Sequence, residues 1–235
     1  MPQLDRRPRC GHNAVVTTRI GFLGGTGIEG RGLALRFALA GAEVAVGSRS
    51  EERARAAAAE YNTLLGHELI RGAANVDMLR NAEIVFLTLP FDSAADAVER
   101  IAGDLPAGVV LVDVTVPIRF EEGRPDYLEP PEGSNAERIA ARLPRGALLV
   151  GAFKTIPAHV MADLRVSLDC DDFVCGDSAE AKEKVMAAAR LIPSLRPLDA
   201  GPLRAARTLE RMTVLAIALN RRYKRKGARY RVQGL

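Results

Sequence analysis

Short apolar runs alternate with longer amphipathic or alanine-rich runs over most of the chain. The apolar runs have the length of buried strands, and the runs between them have the length and composition of helices. Near-continuous apolar strands are typical of a parallel sheet that helices cover on both faces. The pattern therefore predicts an α/β fold of the Rossmann type, a doubly wound and mostly parallel sheet with a small C-terminal α/β addition. Its ligand cleft is expected at the carboxyl ends of the strands.

The pattern also gives approximate bounds for each element. The predicted strands cover residues 19–23, 43–47, 83–89, 109–114, 147–153, 173–175 and 196–198. The predicted helices cover residues 32–40, 50–62, 75–80, 92–101, 134–143 and 178–191, and a last helix opens at 199–202 and runs to about 223. Asp92 and Ser134 carry side chains typical of helix N-caps, and Glu137 stands where it would complete a capping box with Ser134.

We expect three parts along the chain. Residues 1–18 form a flexible extension, residues 19–152 form the nucleotide-binding domain, and residues 153–235 form a smaller domain that closes the cleft. The alternation breaks between Pro117 and Ser134, a stretch that contains four prolines. A segment of this length without its own periodicity indicates a lid or a disordered loop.

The turn after the first predicted strand carries the clearest chemical signal. Gly25, Gly27 and Gly30 form the pattern G-x-G-x-x-G between an apolar strand and an amphipathic run. In this context the first glycine permits a tight turn, the second lets the backbone approach a pyrophosphate, and the third lets the helix pack on the strand. The anion is then held at the helix N-terminus. This context favours dinucleotide binding over an ordinary strand-to-helix turn.

The tip of the second strand indicates which nicotinamide dinucleotide is used. NAD-specific domains place an acidic residue here, whereas this chain has Ser48 and Arg49. Arg53 follows four residues later, one helical turn on, so both guanidinium groups can face the same 2′-phosphate. Two charged hydrogen bonds of about 1.5–3 kcal/mol each would favour NADP by roughly two orders of magnitude. The alternative is that both arginines are simply solvated.

Composition narrows the remaining classes of function. The chain has 235 residues, of which 48% are hydrophobic and 26% are charged, and no apolar run is long enough to span a membrane. The first 18 residues lack the apolar region of a secretory signal. Three cysteines make no even disulfide framework, and we expect a reducing cytoplasm. His12, His67 and His159 lack the spacing of metal ligands, so no metal site is expected.

The positive charge is concentrated near the C-terminus. Seven basic residues and no acidic ones lie between Arg221 and Arg231, and removing them from the formal charge of +4 leaves −3 for the rest of the chain. A slightly acidic body argues against a nucleic-acid groove across the domain. The basic tail itself is expected either to be solvated or to attract an acidic ligand.

Several segments together resemble one family. LGGTG at the first turn, VGSR at the second strand, the strand end TLP, and then KTIPA, VCGD and RPLDAGPL are similar to the NADPH:coenzyme F420 oxidoreductases, over about residues 19–220. The resemblance implies two cofactors, NADP and coenzyme F420, with direct hydride transfer between C4 of the nicotinamide and C5 of the deazaflavin. No side chain is then needed as a catalytic group, because the protein mainly orients the rings and excludes water.

The resemblance also implies which residues hold the cofactors. Besides Gly25, Gly27 and Gly30, the diphosphate turn would be lined by Thr26, Ile28 and Glu29. The 2′-phosphate would be held by Ser48, Arg49 and Arg53. The nicotinamide end would be lined by Leu89, Ser93, Val116, Ala158 and Ala228. The acidic chain of F420 is then the ligand that the basic tail would attract.

The sequence departs from the family pattern at Lys154, where members have histidine. A lysine cannot accept a hydrogen bond, but its charge could stabilise negative charge on the acceptor, or it could merely extend along the edge of the cleft. Two other functions stay open, an NADPH-dependent reductase of a flavin, metal complex or small carbonyl compound, and a non-enzymatic NADP sensor. For partners we expect the two small-molecule cofactors and a homodimer, with neither nucleic acid nor membrane.

Overall fold

The computed structural model describes residues 17–235, and the first sixteen residues, with most of the expected extension, lie outside that range. The strands are β1 (Arg19–Leu23), β2 (Glu43–Ser48), β3 (Ile70–Ala74), β4 (Ile84–Leu87), β5 (Val110–Asp113), β6 (Ile118–Glu121), β7 (Arg124–Tyr127), β8 (Leu148–Gly151), β9 (Cys170–Gly176) and β10 (Leu195–Asp199). The helices are α1 (Ile28–Leu39), α2 (Glu51–Leu65), α3 (Asn75–Asn81), α4 (Phe91–Ile101), α5 (Asn135–Ala140), α6 (Ala158–Ala162), α7 (Ala179–Ala189) and α8 (Ala206–Arg222). Two short 3-10 helices cover Ala102–Asp104 and Leu203–Ala205.

Eight strands form one sheet in the order β10-β9-β8-β5-β4-β1-β2-β3. The pairs from β3 to β8 are parallel, β8 pairs with β9 in antiparallel fashion, and β9 pairs with β10 in parallel. The strand order reverses between β1 and β4, which is the point where doubly wound sheets bind ligands. The predicted Rossmann-type fold is therefore confirmed.

The core lies on both faces of the sheet because successive strand residues point to opposite sides. Phe22 and Phe86 stack on one face with ring centroids 5.1 Å apart. Phe37 of α1 and Phe153 pack on Phe86 at 5.3 and 5.4 Å. This aromatic cluster fixes α1, and with it the glycine turn, against the centre of the sheet. The opposite face buries a second apolar group that includes Leu23, Val85, Leu87 and Leu111.

Two β elements differ from the sequence prediction, and the short helix α6 was not predicted at all. The connection after α2 contains β3, which pairs with β2 from Val44 to Ser48. The segment from Pro117 is not without structure, because β6 and β7 form an antiparallel hairpin. Its turn places Glu122 and Gly123 at φ values of 48° and 76°. Both elements were missed because β3 and the hairpin lie at the edge or outside the sheet, so their burial does not impose an apolar alternation.

The predicted helix caps have mixed outcomes. Ser134 caps α5 as predicted, and its Oγ accepts a hydrogen bond of 3.1 Å from the Glu137 N–H. The Glu137 carboxylate accepts from the Ser134 hydroxyl and from Arg207 rather than completing a capping box through the backbone. Asp92 as an N-cap was wrong, because α4 begins one residue earlier with Pro90 as its cap. Asp92 instead lies in the first turn, where a carboxylate interacts favourably with the helix dipole.

The basic tail packs against the sheet instead of extending into solvent. The Asp171 N–H of β9 donates to the Tyr230 carbonyl at 2.9 Å, and the Val232 N–H donates to the Asp171 carboxylate at 2.6 Å. The Tyr230 hydroxyl donates to the Met212 carbonyl of α8 at 2.6 Å. The end of the tail is therefore docked, while six of its seven basic residues, all except Arg229, stay exposed to solvent. Docking fixes the chain just beyond α8 beside the C-terminal part of the sheet.

Candidate functional site

The glycine turn between β1 and α1 has the close packing that the motif predicts. A Cβ placed on Gly30 would lie 2.6 Å from the Gly25 Cα and 2.7 Å from the Thr88 Oγ1, so α1 needs glycine to approach the turn. A Cβ on Gly27 would meet nothing closer than 3.9 Å. The Tyr61 hydroxyl of α2 donates to the Gly25 carbonyl at 2.9 Å, a support that the motif did not reveal. The space above Gly27 thus stays open to a ligand.

The N-terminus of α1 faces this open space. Gly27 is its N-cap and supplies no side-chain hydrogen bond, so the N–H groups of the first turn, those of Ile28, Glu29 and Gly30, have no acceptor within the helix. Thr26 and Ile28 are exposed beside them. Free N–H groups and the positive end of the helix dipole together attract an anion.

The tip of β2 lies next to this turn because β1 and β2 pair up to Leu23 and Gly47. Ser48 is half-buried, and its Oγ accepts from the Ser50 N–H at 3.3 Å. Arg49 and Arg53 are exposed, and in the part of the chain that the structure describes neither guanidinium has an ion pair. Two unpaired guanidinium groups therefore stand at the edge that the sequence predicted for a 2′-phosphate.

A cavity of about 500 Å³ opens beyond the turn, between the carboxyl ends of β5 and β8 and the helix α8. Val114, Val116, Phe153 and Ile156 give it an apolar wall. Other lining residues are Glu29, Phe120, Lys154, Thr155, Pro157, Ala158, His159, Thr213, Ala216, Ile217, Asn220, Arg221, Arg225 and Lys226. The wall is thus apolar at its base, and three basic residues from the end of α8 and the tail lie at one side.

Another cavity, of about 560 Å³, lies at the amino ends of β1, β2 and β3. Its lining includes Arg19, Glu43 and Ile70. Ligands of doubly wound sheets bind at the opposite edge, so this cavity is not the candidate site.

Comparisons with known proteins show which family the chain resembles. The profile of a family described as NADP oxidoreductase coenzyme F420-dependent matches residues 19–117. The F420-dependent NADP reductase of Methanothermobacter thermautotrophicus is 37% identical over 226 residues, which cover 94% of this chain and 97% of the relative. The enzyme of the same name from Methanocaldococcus jannaschii is 35% identical over 92% of this chain and 99% of the relative.

The chain belongs to the F420-dependent NADP reductase family. The resemblance inferred from the sequence motifs is thereby confirmed. A solved structure from Arthrobacter sp. FB24, provisionally described as a reductase of this family, has a TM-score of 0.77 at 28% identity and covers 92% of this chain and 99% of that one. The reductive aminase of Aspergillus terreus, at 19% identity and a TM-score of 0.58, shares the fold, covering 88% of this chain and 63% of that one.

Five residues were expected to line the nicotinamide end of the site, and two of them line the cavity. Val116 and Ala158 line it directly. Leu89 packs against the glycine turn, where a Cβ on Gly24 would lie 2.5 Å from the Leu89 Cδ2. Ser93 is exposed in the first turn of α4, and its hydroxyl donates to the Pro90 carbonyl. The Ala228 N–H donates to the side chain of Asn220, a lining residue, at 2.9 Å. The structure thus places Val116 and Ala158 in the wall, whereas Leu89, Ser93 and Ala228 are not among the lining residues.

Lys154 is not at the edge of the cleft, and that part of the prediction was wrong. Its ammonium group is fully buried, 2.6 Å from the Asp113 carboxylate, 2.6 Å from the Thr115 carbonyl and 3.2 Å from the Glu210 carboxylate. Burial alone would lower the pKa of Lys154, but the two carboxylates outweigh it and raise the pKa. Lys154 therefore stays charged within a buried cluster, which we call the Lys154 cluster: Asp113, Thr115, Lys154 and Glu210.

The Lys154 cluster connects three elements beneath the cavity. Glu210 belongs to α8 and also accepts hydrogen bonds from the Tyr127 hydroxyl of the hairpin at 2.8 Å and from the Asn135 N–H of α5 at 3.0 Å. Thr213 of α8 donates to the Lys154 carbonyl at 2.8 Å. Sequence reasoning missed Asp113 and Glu210 because both lie far from Lys154 along the chain, Asp113 in an apolar strand and Glu210 beside Arg211 in a helix with several charged residues.

No group of three or more histidine, cysteine, aspartate or glutamate side chains suited to a metal occurs among residues 17–235. His67 and His159 are both exposed there, and His12 lies outside the described residues. No helix in the described range is long and apolar enough to cross a membrane.

Proposed function

We propose that this protein transfers a hydride between NADP(H) and coenzyme F420. The observation that carries the proposal is the adjacency of two sites of different character, an open glycine turn with unpaired arginines and an apolar cavity with basic residues at one side. The enzymes named F420-dependent NADP reductase that cover nearly the whole chain support both halves of this assignment.

The NADP-binding part of this proposal fits the glycine turn and the β2 tip. The open position at Gly27 and the free N–H groups of α1 suit a diphosphate, and Arg49 and Arg53 suit a 2′-phosphate. Thr26 and Ser48 add hydroxyl groups between them, and the apolar side chain of Ile28 is exposed beside the turn. The absence of an acidic residue at the strand tip favours NADP over NAD, since a carboxylate would repel the extra phosphate.

The binding of the hydride acceptor, the second part of the proposal, fits the cavity. Its size and apolar wall suit a flat aromatic ring system, and ligand sites of this class combine an apolar wall with a few polar groups. Arg221, Arg225 and Lys226 lie where an acidic extension of the acceptor would leave the cavity. Phe120 of the hairpin is exposed over the same cavity, which supports the proposal that the hairpin acts as a lid.

The protein's part in the reaction is to hold and orient. NADPH supplies a hydride, and hydride transfer needs the donor and acceptor rings in close contact with water excluded. The turn fixes one end of the dinucleotide, the wall of Val114, Val116 and Ile156 excludes water, and the Lys154 cluster fixes α8 against the strand ends. We propose no side chain for the hydride step itself.

Three further expectations remain part of the proposal. Residues 153–235 act as the part that closes the cleft, although β9 and β10 extend the same sheet. The exposed Phe120 and Leu215 are compatible with a homodimer. A role in the cytoplasm, without membrane or nucleic acid, agrees with the absence of a spanning helix in the described residues and with the acidic body.

A panel of acceptors tests the function. The purified protein is incubated with NADPH and, separately, coenzyme F420, FMN, a ferric chelate and a small ketone, and NADPH oxidation is followed. We expect F420 to be reduced at least a hundredfold faster than the others, and NADH to be a poor donor. Faster reduction of FMN or the ferric chelate would favour the alternative reductase, and tight NADPH binding without turnover of any acceptor would favour the sensor.

A further inference from the structure

One polar group in the cavity wall takes no part in holding the fold together. Glu29 lines the cavity from the first turn of α1, and its Oε1 atom is buried without a hydrogen-bond partner in the described chain. An unpaired buried oxygen costs free energy, so it indicates a strained position, an ordered water or ion, or a ligand or reaction that uses it. Among the other buried side-chain atoms without partners, Thr155 Oγ1 belongs to the same cavity wall.

The surroundings of Glu29 favour the neutral acid. Burial raises the pKa of its carboxyl to about 8. The charged or titratable residues that share the cavity are Lys154, His159, Arg221, Arg225 and Lys226. None of these forms an ion pair with Glu29 in residues 17–235, and the Lys154 ammonium is paired with Asp113 and Glu210. The dipole of α1 favours the carboxylate, but a diphosphate bound at the same turn would oppose ionisation.

Reduction of the acceptor requires more than a hydride. A neutral ring that accepts a hydride gains two electrons and one proton, so a second proton must arrive to restore its charge. Resting on the proposed function, we infer that Glu29 is the proton donor for the acceptor in the cavity and the proton acceptor in the reverse direction. Glu29 loses its proton as the hydride arrives and becomes a carboxylate. Water then returns the proton, since the residue as a whole is only half-buried.

The protonation of Glu29 is measured first, without any acceptor. Infrared difference spectra across a pH titration should show the carbonyl stretch of a protonated carboxylic acid at pH 7, and this band should disappear as the pH rises through about 8. Saturation with NADPH should move the midpoint upward. Glu29→Gln should lack the component of the band that titrates near pH 8, and it should keep the component of Asp172, a carboxyl of β9 whose pKa burial raises to about 7. The matched control is Glu132→Gln, which changes another glutamate with a buried unpaired oxygen outside the cavity, and it should keep the band.

Turnover is measured next with the same proteins. Glu29→Gln should reduce F420 about a hundredfold more slowly, which is the usual contribution of a positioned acid. Its Kd for NADPH should stay within about threefold of the original, because glutamine keeps the size of the side chain. In the original protein, the rate of F420 reduction should fall as the pH rises through the midpoint of the infrared band. Glu132→Gln should behave as the original protein does.

The outcomes separate this inference from the proposed function. A carboxylic acid band without a component that titrates near pH 8, or such a component that persists in Glu29→Gln, overturns the inference alone. So does a Glu29→Gln protein that reduces F420 at the original rate. If the original protein shows the band but reduces no F420, the proposed function fails and the inference fails with it.

Discussion

The two halves of the site are built in contrasting ways. The glycine turn and the β2 tip lie within residues 20–53. The turn forms its binding surface mainly with the backbone, through glycines and free N–H groups. The acceptor cavity draws on residues from Glu29 to Lys226 and rests on buried charges that meet only in the folded chain. A local, backbone-based site depends on a few glycines, whereas the assembled site depends on long-range charge pairing.

The largest effect is expected when Lys154 is removed from the assembled site. Lys154→Ala leaves Asp113 and Glu210 buried without their cation, and breaking a buried pair in this way costs about 3–5 kcal/mol. The free energy of unfolding from denaturant titration should fall by that amount. Lys184→Ala on α7 removes a lysine that forms no ion pair with any described residue, and it should change the free energy of unfolding by less than about 0.5 kcal/mol. A Lys154→Ala protein of undiminished stability would contradict the role of the Lys154 cluster.

The proposed 2′-phosphate site at the β2 tip is tested by its selectivity for NADPH over NADH rather than by protein stability. Replacing both Arg49 and Arg53 by alanine should weaken NADPH binding by roughly a hundredfold and leave NADH binding nearly unchanged, because two charged hydrogen bonds are lost. Arg55→Ala on the same helix removes a guanidinium that pairs with Glu51 at 2.6 Å. Calorimetric titration of Arg55→Ala should give the original Kd. Equal losses for NADPH and NADH would show that the arginines do not recognise the extra phosphate.

The glycine turn should be sensitive to a single methyl group. Gly30→Ala places a Cβ 2.6 Å from the Gly25 Cα, so the turn or α1 must shift, at a cost of about 1–3 kcal/mol. We expect a lower melting temperature and weaker NADPH binding. Gly103→Ala, where a Cβ would meet nothing within 4 Å, is the matched control. Normal NADPH affinity in Gly30→Ala would mean that this close approach does not shape the site.

The smallest expected effect concerns the basic residues beside the cavity. Changing Arg225 and Lys226 to glutamine should raise the KM for F420 with a long glutamate chain by about threefold at low salt, and less at high salt, because exposed charges are screened. Arg222 and Lys224 carry the same charge in the same segment but do not line the cavity. Their double change to glutamine should have little effect. A similar rise in both double variants would mean that only net charge matters.

The same contrast explains what the sequence could predict. The turn, the β2 tip and the alternating core were predictable because each is encoded in neighbouring residues with a fixed periodicity or spacing. The environment of Lys154 was not, since Asp113 lies 41 and Glu210 lies 56 residues from it. The hairpin and the docked tail also escaped prediction, because exposed pairing and contacts from Asp171 to Tyr230 leave no apolar pattern. The assignment of individual cofactor-binding residues stays a prediction.

Direct hydride transfer from the nicotinamide to the deazaflavin can be followed with an isotope label. NADPH deuterated on one face of C4 is oxidised by the protein in the presence of F420 in ordinary water, and the reduced F420 is analysed by mass spectrometry and NMR. We expect that one of the two C4-deuterated forms delivers its deuterium to C5 of the deazaflavin with almost no loss to solvent. Deuterium that appears in water, or reduced F420 that carries only solvent hydrogen at C5 with either form, would contradict it.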